Sequence, residues 1–72
     1  SVPERIVALL QDFAPLPLTY DDLVDELGIS RKHAQAEVGE LVKAGRVRRD
    51  GGKGLGRGNG DVQLYAISQG RP

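Results

Sequence analysis

The apolar positions first recur with the period of a helix. Ile6, Val7, Leu9, Leu10 and Phe13 lie three and four residues apart, and Pro3 suits a first turn, where its missing N–H forfeits no hydrogen bond. This predicts helix one over residues 3–14. Residues 15–18, Pro-Leu-Pro-Leu, cannot prolong it, because proline lacks the donor and disfavours helix in the residue before it. An extended connector is expected there, with a short strand around Leu18. Thr19 and Asp22 have the spacing of a capping box, with aspartate in place of the usual Glu or Gln. Helix two, residues 20–27, then turns Leu23, Val24 and Leu27 inward and keeps its acids in the first turns, where the helix dipole favours them. Gly28 closes it as a C′ residue, and Ser30 is a good N-cap for the next helix. Helix three is expected over 31–44, with Ala34, Val38, Leu41 and Val42 as its buried stripe and Gly45 at its end.

After Gly45 the period changes to two. Val47 falls on one side of a strand, with Arg46 and Arg48 on the other. Val62, Leu64 and Ala66 share one face of a second strand, and Gln63, Tyr65 and Ile67 share the opposite face. Between them, six of the ten residues 51–60 are glycine, and Asn59-Gly60 is a strong tight-turn dipeptide. The expected fold is therefore α+β, a single domain over 1–72: three helices followed by a two-stranded glycine-rich hairpin over 46–67.

Composition narrows the chemistry. The chain has 72 residues, no cysteine and one histidine. Disulfides, thiolate metal sites and multi-histidine metal sites within one chain are excluded, and a reducing, cytoplasmic setting is expected. No apolar run has the length of a membrane span and no signal-peptide pattern opens the chain, so no membrane partner is expected. Ser1 and Pro72 are the termini expected of a trimmed chain or of a piece of a longer protein. The net charge of zero conceals a segregation: residues 1–29 hold six acids against Arg5, and residues 30–72 hold nine bases against four acids. Such an asymmetry points to a polyanion-binding face or to a dipolar, solvated surface.

Helix, extended linker, helix, tight turn, helix, strand, long hairpin and strand is an order that resembles the winged helix-turn-helix domains. The residues carrying the resemblance are "YDDLVDELGISRKHAQAEVGELVKAGRVRRD", with "LGIS" ending helix two, "LVKAG" ending helix three and the basic "RVRR" after it. "LYAISQGR" is similar to the second wing strand and exit of the multiple-antibiotic-resistance repressor family. The resemblance implies double-stranded DNA as partner and a role in transcription regulation, with helix three as the recognition helix in the major groove. Ser30, Arg31, Lys32, His33 and Gln35 hold the positions that meet DNA in such domains. Arg31 and Lys32 suit guanine edges or phosphates, Gln35 suits adenine, and the helix N-terminus itself favours a phosphate. Arg48 and Arg49 begin the wing, and Lys53, Arg57 and Asn59 lie in it.

Two features depart from that pattern. Positions 36 and 39, where long polar residues often stand, are Ala36 and Gly39, and Glu37 and Glu40 would repel phosphates they faced. Glycine inside a helix costs about 1 kcal/mol relative to alanine, which predicts a close approach at Gly39, to DNA, another helix or a partner protein. A protein–protein adaptor and a structured-RNA binder therefore stay open beside the DNA module. Oligomeric state stays open too.

The glycine stretch has its own logic. If extended, it is bare on one face and carries Lys53, Leu55, Arg57 and Asn59 on the other, a thin ribbon suited to a minor groove or a phosphate backbone, or else a solvated hairpin tip. It lacks the spacing of a nucleotide-cradling loop. His33 has no partners of metal-site or catalytic type; against phosphate, its protonation would strengthen binding. Asp21, Asp22, Asp25 and Glu26 lack calcium-loop spacing and read as a solvated helix face. Tyr20 and Tyr65 read as core or rim residues. No enzyme activity, cofactor or metal is expected.

Overall fold

Ile6, Leu23, Ala34, Val38 and Leu64 are withdrawn completely from solvent, and they come from four different segments of the chain. The computed structural model describes residues 1–51 and 62–67. In order these form α1 (Val2–Phe13), α2 (Tyr20–Leu27), α3 (Arg31–Lys43), β1 (Val47–Asp50) and β2 (Gln63–Ala66). The architecture is a small α+β domain of three helices and a two-stranded antiparallel sheet.

Each helix boundary has a local cause. The Thr19 hydroxyl accepts from the Asp22 N–H at 3.1 Å, and the Asp22 carboxylate accepts from the Thr19 N–H at 2.9 Å, which completes the capping box. Gly28 ends α2 in the left-handed region at φ 68°, and its N–H donates to the Val24 carbonyl at 2.9 Å. Gly45, at φ 76°, turns the chain out of α3 toward β1. α1 and α3 each differ by about a residue from the expected limits, which is the ordinary fraying of helix ends.

The strands pair in one register, Val47 with Ala66, Arg48 with Tyr65, Arg49 with Leu64 and Asp50 with Gln63. On the other side of β2, Leu18 exchanges both backbone hydrogen bonds with Leu64, at 3.1 and 2.8 Å. The strand expected near Leu18 is thus a single bridge. It ties the connector after α1 to the sheet.

The core follows the expected stripes: Ile6, Val7 and Leu10 from α1, Tyr20 and Leu23 from α2, Ala34, Val38 and Leu41 from α3, then Val47, Val62 and Leu64. Val24, Leu27, Val42 and Ala66 are only half-buried. Phe13 continues the α1 periodicity but is 45% exposed, in the last turn of the helix and followed by the exposed residues 14–16. At Gly39 a built Cβ meets nothing within 4 Å among the described residues, so the close approach expected there is not made by another described helix.

Candidate nucleic-acid interface

α2 and α3 meet across a turn of three residues, 28–30. Gly28 reverses the chain, Ile29 packs half-buried against the core, and Ser30 takes an extended conformation at φ −73°, ψ 158°. The Ser30 hydroxyl accepts from the His33 N–H at 3.0 Å. It thereby satisfies one of the free donors of the first turn, and fixes where Arg31, Lys32 and His33 leave the backbone. This part of the candidate set is brought together as expected: Lys32 and His33 are exposed, and Arg31 and Gln35 are half-buried on the same first turns. Ser30 itself acts as the cap: its hydroxyl oxygen accepts from the His33 N–H, a bond that does not use its own O–H.

The cations here are not all free. The guanidinium Nη2 of Arg31 donates to Oδ1 of Asp21, which lies in the first turn of α2. His33 Nε2 lies 3.3 Å from Glu37 Oε2, one helical turn along α3. Lys32 has no ion-pair partner among the described residues. Exposed pairs of this kind contribute about 0–1 kcal/mol, so the acids beside Arg31 and His33 add little to the stability of the fold.

Arg48 and Arg49 are separated by the pleat. Arg48 stands opposite Tyr65, with its guanidinium carbon 4.1 Å from the ring centroid and its Nη1 donating to Asp50 Oδ2 at 2.9 Å. Together with Leu10, Pro15 and Leu16, the two line a shallow cleft of about 300 Å³ where the connector passes the sheet. Arg49 pairs with Leu64 and so takes the other face, exposed at the end of the strand. Successive strand residues point to opposite sides, so the two arginines cannot serve one flat surface together. Among the described residues, no hydrogen bond or ion pair joins Arg48 or Arg49 to the α3 group. Lys53, Arg57 and Asn59, with the ribbon they belong to, lie outside the described residues.

Sequence reasoning missed Asp21. It reads as one more acid on a solvated face, and its separation of ten residues from Arg31 matches no local contact rule. The Arg48–Tyr65 contact was nearer to reach, since it follows once strand register is known. Among the described residues, no cluster of three or more His, Cys, Asp or Glu is arranged to hold a metal ion, and no helix is long and apolar enough to cross a membrane. No protein-family model, curated protein or solved structure matches this chain at a significant level.

Proposed function

We propose that this chain is a winged helix-turn-helix module that binds double-stranded DNA, in a transcription regulator or the DNA-reading part of a larger protein. In this reading α3 enters the major groove with its first turns, and the β1–β2 hairpin is the wing, lying along the backbone or the minor groove. The observation that carries the reading is the α2–α3 junction. A left-handed glycine and a serine cap lead into a helix whose first turns present Arg31, Lys32, His33 and Gln35. A helix N-terminus flanked by cations attracts phosphate, and an arginine with a glutamine four residues on can read base edges. The nine bases of residues 30–72 supply the sequence-independent part of the attraction.

The test is a fluorescence-anisotropy titration with a random duplex over a salt series. Neutralising about four phosphates gives a log–log salt slope near −3.6. Absence of binding at low salt would overturn the reading.

One observation favours a second reading, a protein–protein adaptor. On α3, Ala36 is exposed and a Cβ at Gly39 would meet nothing within 4 Å among the described residues, with Glu37 and Glu40 on the same helix. A small, acid-flanked face suits a packed protein partner better than a polyanion. An association with another protein chain that survives Lys32→Ala but not Gly39→Leu would support it.

A further inference from the structure

An arginine at the first position of a helix stands against the positive end of the helix dipole. Arg31 holds that position in α3, and the acid that offsets the conflict comes from another helix. Asp21 occupies the first turn of α2, where the dipole favours a carboxylate, and it receives a hydrogen bond from one terminal nitrogen of Arg31. The Arg31 side chain is 40% exposed and that of Asp21 is 70% exposed, so the guanidinium is the more sheltered partner and the contact remains open to solvent.

A guanidinium has five N–H donors in a rigid fork. One contact to Asp21 uses one of them and leaves the others free. Reading a guanine requires two N–H groups presented together to O6 and N7, a fixed plane rather than a mere charge. A phosphate requires only the charge. We infer that Asp21 is a positioning residue that orients Arg31 for base-edge recognition. The inference rests on the DNA reading above and assigns its specificity to a pair drawn from two helices. The serine cap holds the first turn of α3 through the His33 N–H, the α2 capping box holds the helix that bears Asp21, and the Arg31–Asp21 pair joins the two helices. Lys32, without an ion-pair partner among the described residues, supplies charge and no orientation.

The two roles of an acid beside an arginine have opposite signatures. An acid that merely repels DNA weakens every duplex, so its removal raises affinity for all sequences alike. A positioning acid sharpens discrimination, so its removal lowers affinity for the preferred sequence and leaves or raises affinity for the rest.

The experiment selects a preferred duplex from a random pool with the unaltered chain, then measures affinity for that duplex and for a random one. Asp21→Asn is expected to reduce the preferred-to-random ratio about tenfold, within the range set by one bidentate base contact. Arg31→Ala is expected to do the same, and the double variant to be no worse than Arg31→Ala alone. Asp21→Glu keeps the charge and is expected to recover part of the ratio. Thermal melting checks that each variant is folded, and Asp21→Glu carries the comparison should Asp21→Asn not be. Equal gains on both duplexes, an unchanged ratio, or additive losses in the double variant would each overturn the positioning role and leave DNA binding standing. Failure of the unaltered chain to bind any duplex at low salt would remove the DNA reading, and the positioning role with it.

Discussion

The guanidinium of Arg48 lies over the ring of Tyr65, its direct partner across the two strands, 4.1 Å from the ring centroid. The same guanidinium donates to Asp50 on its own strand. Arg48 is thus held between an aromatic face and a carboxylate, and it belongs as much to the sheet as to any surface that meets a ligand. With Arg48 exposed and Tyr65 half-buried, such a cation–ring contact contributes about 0.5–1 kcal/mol. Tyr65→Leu should therefore lower unfolding free energy by about that amount, read by urea denaturation. Arg48→Ala should weaken random-duplex binding less than Lys32→Ala does. The reverse order would mean that Arg48 leaves Tyr65 when DNA binds.

The two helical-end and helix-interior glycines should respond in opposite directions. Gly28 sits at φ 68°, a conformation costing a side-chain-bearing residue about 1–2 kcal/mol, so Gly28→Ala should destabilise the domain by about that much. Gly39 is in ordinary helical geometry with open space where a Cβ would go. Gly39→Ala should raise stability by up to about 1 kcal/mol. Paired urea titrations decide this, and a loss at Gly39 would point to a neighbour that the described residues do not supply.

Removing the caps should cost less than removing the core. Thr19→Ala and Ser30→Ala each lose a side-chain acceptor at a helix N-terminus, worth about 0.5–2 kcal/mol. Leu64→Ala should cost about 2–5 kcal/mol, since Leu64 is fully buried in the core. A domain of this size has a total stability of about 3–5 kcal/mol. The cap variants should therefore remain folded and the Leu64 variant should be largely unfolded, as circular dichroism with thermal melting will show.

Lys32 should act as a phosphate contact. Its replacement by alanine is expected to weaken preferred and random duplexes in similar proportion, and to flatten the salt slope by about 0.9. A selective loss on the preferred duplex would make Lys32 a base reader.

Much of this protein is determined by sequence alone, because the signals are local. A capping box needs Thr19 and Asp22 three residues apart, a helix stop needs Gly28, and a strand needs alternation, all within a few residues of chain. Those rules locate three helices and two strands and nearly all of the core. They also bring Ser30, Arg31, Lys32, His33 and Gln35 to one helix end, because consecutive positions there cannot be elsewhere. Tertiary structure decided the rest. Phe13 obeys the periodicity of α1 yet is 45% exposed, since burial needs a second element opposite and periodicity along one helix does not say where that element ends. Arg48 and Arg49 look equivalent in sequence until pairing with Tyr65 and Leu64 assigns them to opposite faces. Asp21 becomes the partner of Arg31 only when two helices cross, because a charge acts through space and its partner need not be near along the chain.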